Sequence, residues 1–307
     1  MRGIKYLLLS FIFCSISVLA QEKTEREQGH LNNNKFKQLY NEFSTPNMYR
    51  TGSGAPGPAY YQQQADYKMD IEIDDVNARL SGIETITYTN NSPDELRYLW
   101  VQLDQNMRAK NSKTPLIQDS NASAVLKPNA FTSKFMKEAF DGGFNIQEVK
   151  DVNGNDLEYA INDTMMRIEL PQPMTTGDRF SFVIKWWYNI NDHVNGRGRS
   201  GYEMFPEDGN RAYVIAQFHP RMAVYNDVEG WQNSQFWGRD EFALPFGNFE
   251  VNITVPADHI LDGTGKLMNR EEVFSEVMME RYGKAQKSYD EPVLIVTQAE
   301  AETAEKG

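Results

Sequence analysis

Cysteine is nearly absent from this chain: its 307 residues hold one, Cys14, inside an apolar N-terminal run. Disulfide staples, thiol catalysis and cysteine metal sites are therefore excluded for the remainder. Histidine is scarce as well, and His30, His193, His219 and His259 are the full set. No two of them stand four apart and none is followed by Glu, so a His-Glu-x-x-His metal helix cannot form. Positive charge is also in deficit, with 31 basic against 43 acidic residues and a net charge of −12. Such a surface repels phosphate backbones, which excludes nucleic acid as a partner. No internal repeat is present.

The first twenty residues have the pattern of a secretory signal peptide. Arg2 and Lys5 form a basic start, Tyr6 to Leu19 is apolar, and Val18-Leu19-Ala20 before Gln21 fits small-residue cleavage. The apolar run is too short for a membrane span and no stop-transfer segment follows, so no membrane anchor is expected after cleavage. No small-residue pair precedes Cys14 to favour a lipid anchor. The expected location is secreted or periplasmic. A mature chain without cysteine must be stabilised by core burial alone, which a domain above ~200 residues can manage.

Residues 21–58 read as a polar leader followed by a Gly/Pro linker, with Phe36, Leu39, Tyr40 and Phe43 at helical spacing inside it. From Ala65 the period changes to two. Tyr67, Met69, Ile71 and Ile73 alternate with Lys68, Asp70, Glu72 and Asp74, the signature of a half-buried strand. Further strands are expected over Leu80–Thr89, Tyr98–Leu103, Met165–Leu170, Arg179–Ile190, Ala212–Ala216, Asn248–Val255, His259–Gly265 and Val293–Thr297. Ile146–Val152 and Leu157–Ile161 flank Asn153-Gly154-Asn155 as a hairpin. The Asp151-x-Asn153-x-Asn155 spacing lacks the glycine and distal glutamate of a calcium loop and reads as a turn. Phe131, Phe135, Met136, Ala139 and Phe140 mark a short helix. Asn195–Gly201 is a solvated Gly/Arg loop, without the Lys-Ser/Thr ending of a phosphate cradle. Asn269 and Glu272 suggest a capping box, opening a helix whose Val273, Phe274, Val277, Met278 and Tyr282 stripe is expected to pack in a core. The fold class is all-β, an antiparallel twisted sandwich spanning 59–298 with two or three short helices inserted, and 299–307 is an acidic tail.

The segment from Gln217 to Pro256 is dense in Trp, Phe and acidic residues, yet Pro220, Gly230, Gly238, Pro245 and Gly247 interrupt it. A loop of that length without regular structure is uncommon in a compact domain and is usually functional when ordered. Gln217-Phe218-His219-Pro220-Arg221, Tyr225-Asn226-Asp227, Gly230-Trp231 and Phe249 to Pro256 follow one another in it. Together with Ala65 to Met69 and Ser81 to Ser92, this order and spacing resembles the N-terminal domain of M1-family zinc aminopeptidases, most of all the secreted bacterial type. The resemblance covers roughly residues 45 to 300.

The resemblance implies a saddle-like β domain, truncated before the catalytic domain, that shapes the substrate cleft and docks on that catalytic domain. The zinc of the family would lie in the catalytic domain, so no cofactor is expected in this chain, which should be inactive alone. The Gly-x-Met-Glu-Asn motif that cradles the substrate amine in the family is missing here as well. By motif position Gln217 is the residue that would bind the free α-amino group of a peptide N-terminus. A Gln that merely ends a strand and holds a loop is the plainer reading. An aromatic often stands where His219 does, so His219 is read either as lining the cleft or as packing. Arg221, Tyr225, Asp227 and Trp231 are expected to anchor the loop, with Glu229, Arg239 and Asp240 adding ion pairs. His219, Asp227 and Ser234 carry no nucleophile turn and make a poor hydrolase triad. The alternative is a stand-alone periplasmic sandwich that binds carbohydrate or protein on an exposed coplanar row of Tyr225, Trp231 and Trp237.

Overall fold

The computed structural model describes residues 46–303, apart from 119–124, 126, 137–139, 197–198, 208 and 239–242. The expected signal segment and the expected helix at 36–43 lie outside the described residues. Thirteen strands are formed among the described residues. Three long ones open the fold: β1 (Gln64–Asp74), β2 (Arg79–Thr89) and β3 (Leu96–Gln102). They are followed by β4 (Asn145–Asp151), β5 (Tyr159–Asn162), β6 (Met165–Met174) and β7 (Arg179–Asn189). A hairpin of β8 (Gly201–Phe205) and β9 (Asn210–Val214) comes next. Three two-residue strands complete the long loop: β10 (Arg221–Met222), β11 (Tyr225–Asn226) and β12 (Gly230–Trp231). The last strand is β13 (Phe249–Thr254).

The fold is an all-β sandwich. One sheet has the order β13-β1-β2-β7-β4 and the other β10-β3-β6-β5. Alternation along the strands explains the layering, because every second side chain of a pleated strand faces the same side. Tyr67, Met69, Ile71 and Ile73 of β1, with Phe182, Ile184, Trp186 and Tyr188 of β7, bury toward Leu99 and Val101 of β3 and Met166 and Ile168 of β6. The β1–β2 turn is tied by Asp74, whose carboxylate accepts from the backbone and side-chain amides of Asn77. On the core face of β2, Gly82 stands opposite Trp186 of β7. A methyl group on Gly82 would lie 2.6 Å from the indole and 3.1 Å from Ile71 Cγ2, so this position must lack a side chain.

Several expectations from the pattern give way to tertiary placement. β13 pairs with β1 in parallel, Tyr67 beside Phe249 and Ile71 beside Ile253, in an otherwise antiparallel sheet. A parallel neighbour needs a long crossover, and the irregular stretch after β12 supplies it. Phe249, Val251 and Ile253 share the core face of that sheet, yet all six residues of β13 are exposed. The expected hairpin around Gly154 is not a strand pair. β4 joins β7 in one sheet and β5 joins β6 in the other, with only a bridge from Lys150 to Asp156 between them. The chain changes sheet at that turn.

The C-terminal part differs more. Neither 259–265 nor 293–297 is a strand. The expected single helix is two, Arg270–Val273 and Glu276–Ala285, because Phe274 turns extended and Ser275 caps the second by accepting from the Met278 amide. Asn269 makes no side-chain cap. The Val273 to Tyr282 stripe is not core: neither helix buries a residue, since no strand of the sandwich lies over it. Local contacts hold this segment instead. Arg270 lies over the Tyr282 ring, and Arg281 pairs with Glu300 inside the capping box that opens the helix Gln298–Glu302.

Gly82→Ala should destabilise the fold by about 2 kcal/mol, the usual penalty for overpacking a filled core. Urea denaturation followed by tryptophan fluorescence measures it, and a wild-type midpoint would show that Trp186 has room to move.

Candidate functional site

The long loop returns to the sandwich where β1 and β13 meet, and a small pocket of ≈ 150 Å³ opens there. Gln217, Phe218, His219 and Arg221 line it from the loop, Tyr67 and Phe249 from the two strands, and Leu244 and Pro245 close it. The Tyr67 and Phe249 rings stack at 4.8 Å, and the His219 ring meets Tyr67 edge-on at 5.1 Å. This volume is below that of pockets for drug-sized ligands.

Beneath the pocket lies a buried polar centre. Glu84 sits on the core face of β2, fully buried between Gly82 and Ile86. His219 Nδ1 lies 2.9 Å from Glu84 Oε2 and 2.9 Å from the Pro220 carbonyl oxygen. Asp104, just past β3 and also buried, pairs with Arg221, which further reaches Gln102 at 3.4 Å. β10 fixes Arg221 by pairing it with Gln102 of β3, and the Met222 amide donates to Tyr67 Oη at 2.9 Å. Desolvation is the largest influence on both carboxyls. It raises Glu84 above its ordinary range against the pull of His219, and raises Asp104 against the pull of Arg221. Burial likewise pushes the Tyr67 phenol up.

Gln217 holds a left-handed backbone, φ 52°, which a non-glycine residue adopts only under constraint. The constraint is visible. Gln105 Nε2 donates to the Gln217 carbonyl at 2.9 Å, Arg108 in turn donates to Gln105 Oε1, and Ser200 clasps both backbone groups of Ala216. Held this way, Gln217 is half-buried at the pocket rim, and its side-chain amide makes no hydrogen bond among the described residues.

The remaining loop residues singled out from the sequence each meet a partner. Arg50 donates through Nε and Nη2 to both oxygens of Asp227, at 2.8 and 2.9 Å, so the segment before β1 is pinned to the loop. Tyr225 Oη donates to Asp94, and Trp231 packs on Tyr225 and on Tyr88 of β2. Farther along, Gln235 Oε1 accepts from the backbone and hydroxyl of Thr164. Glu229 is exposed, and Arg239 and Asp240 lie outside the described residues. His219 pairs with Glu84 and Asp227 with Arg50, so these two do not come together with Ser234 as a triad. Tyr225 is buried and stands at 71° to Trp231, so it forms no flat exposed row with Trp231 and Trp237.

Sequence reasoning missed Glu84, Asp104 and Gln105. A signal existed for the first: Leu80, Gly82, Glu84, Ile86 and Tyr88 share one face of β2, and a carboxylate in that row demands a partner. No group of three or more His, Cys, Asp or Glu among the described residues is placed to hold a metal ion.

No protein-family model and no curated protein matches the sequence. Among solved structures, the chain is similar to the M1 zinc metallopeptidase from Deinococcus radiodurans, at 14% identity and a TM-score of 0.34, over 70% of this chain and 38% of that one. A variant of that enzyme bound to a Tyr-Ser-Ala substrate gives 13% identity and 0.33, over 68% and 37%. A two-domain M1 zinc metallopeptidase variant bound to L-tryptophan gives 15% and 0.33, over 70% and 39%. The chain thus spans less than two fifths of the length of these solved chains.

Because Glu84 has a raised pKa in the folded state, it contributes stability below its unfolded pKa that is lost as pH rises through the folded value. Glu84→Gln removes that loss. The stability of the variant minus that of wild type should therefore grow from about pH 4 to about pH 7, read by urea denaturation at each pH. A constant difference would mean Glu84 titrates alike folded and unfolded.

Proposed function

We propose that this chain builds one wall of a peptide-end pocket in an exported zinc aminopeptidase of the M1 type, an enzyme that removes N-terminal residues from peptides. Gln217 accepts a hydrogen bond from the free α-ammonium group. The metal and its water-activating carboxylate belong to a separate catalytic domain, and no step of the hydrolysis runs through the residues described here. What carries the reading is the placement of Gln217: the residue marked by the motif sits at the rim of an open pocket, in a constrained backbone, with its amide free. A Gln carbonyl is suited to the task, and hydrogen bonds to charged groups contribute about 1.5–3 kcal/mol. The bare Phe249, Val251 and Ile253 on β13 support it too, since an uncovered apolar strip beside the pocket suits a domain that packs against another.

The test is a titration of the full chain with L-phenylalaninamide and with its N-acetyl derivative, followed by the Gln217 side-chain amide resonance. The free amine should shift that resonance, the acetylated form should not, and Gln217→Ala should weaken binding about tenfold. Equal binding of both compounds would overturn the amine role. Zinc-dependent release from an aminoacyl reporter by the pure chain would place the metal site within it.

A further inference from the structure

The resemblance to aminopeptidases gives Glu84 no role, yet it is the carboxylate against which His219 is set. Nδ1 of His219 faces two acceptors, Glu84 Oε2 and the Pro220 carbonyl oxygen, both at 2.9 Å. A carbonyl oxygen has no proton to give, so Nδ1 must carry the hydrogen. In the neutral ring this leaves Nε2 as a bare acceptor. Nε2 makes no hydrogen bond among the described residues, on a ring that lines the pocket.

The charges around the ring are of both signs. Facing it are Glu84 from β2, Asp104 and Arg221 from the other sheet, and the Tyr67 phenol from β1, with Arg108 beyond Asp104. Phe218 and Phe249 contribute only rings. One oxygen of each carboxylate, Glu84 Oε1 and Asp104 Oδ1, is buried without a partner. The Glu84 and Asp104 carboxylates are thus balanced by the Arg221 and Arg108 guanidiniums, and the neutral imidazole adds no positive charge to the pocket.

We propose that Glu84 is a positioning residue for His219, holding Nε2 as a bare acceptor that, with Gln217, selects a primary ammonium and releases it when the pair takes up a proton. The proposal rests on the reading of this pocket as an amine-end site. With Nδ1 holding its hydrogen toward the Pro220 carbonyl, a proton added to the ring goes to Nε2, beside the Glu84 carboxylate, and turns that nitrogen from acceptor to donor. A bound ammonium and that hydrogen therefore exclude each other.

Long-range ¹H–¹⁵N correlation spectra of the wild-type chain report the tautomer directly, without ligand or substitution. The neutral ring should carry its hydrogen on Nδ1, and a neutral ring protonated at Nε2 would overturn the proposal while leaving Gln217 open to its own test. The binding probe is 2-phenylethylamine, which stays protonated across the range used, with 2-phenylethanol as the uncharged control. Its affinity should fall about tenfold as the pH is lowered from about 8 to about 5. Glu84→Gln, whose carbonyl can still accept from Nδ1, should weaken binding about tenfold at the upper pH by removing the carboxylate charge, and should flatten the profile because an added proton loses its counter-charge. In His219→Gln, where a carbonyl replaces the ring acceptor, the pH dependence should vanish. Affinity that ignores both pH and Glu84→Gln, or equal binding of the alcohol, would overturn the proposal.

Discussion

The arrangement turns on one carboxylate placed where a methyl group would be expected. Glu84 faces the core from the middle of β2, in a row otherwise filled by Leu80, Ile86 and Tyr88. Burying a carboxylate without a partner is far more unfavourable than burying an apolar group. The fold answers by bringing the long loop across the sandwich, so that His219 meets Glu84 and, two residues on, Arg221 meets Asp104. Each pair joins the loop to a different sheet, and the loop's path is set by where those charges lie.

The same logic explains how a segment with so little regular structure holds a defined shape. β10, β11 and β12 are two residues each, too short to be stable alone. Side chains take over: Arg50 grips Asp227, Tyr225 reaches Asp94, and Gln235 satisfies Thr164. Ahead of these fixings, Gln105 and Ser200 hold the backbone in a left-handed turn at Gln217, which lines the pocket. A binding group on a loop is precise only when rigid elements on either side determine its position. Here the rigidity comes from buried polar contacts to both sheets.

β13 shows the opposite situation. Its alternation is as apolar as that of β1, and Phe249, Val251 and Ile253 fall in register with Tyr67, Met69 and Ile71. The β1 residues are buried and the β13 residues are not, because no strand of the second sheet reaches over the edge. The helices after it repeat the lesson. Val273 and Val277 have the spacing of a core stripe, yet spacing specifies only which residues share a face, never whether anything covers that face.

The sequence by itself determined most long strands of the sandwich and the irregular course of the loop. Period-two alternation in β1, β2 and β7 is a local property, written in neighbouring residues, and so is the run of breakers that makes 217–248 irregular. Only the tertiary structure decided the parallel seat of β13, the change of sheet at Gly154, and the meeting of Glu84 with His219 across 135 positions. Those depend on which surfaces are left to cover and which charges are left to satisfy once the sheets have stacked. Neither quantity exists until distant parts of the chain occupy the same volume.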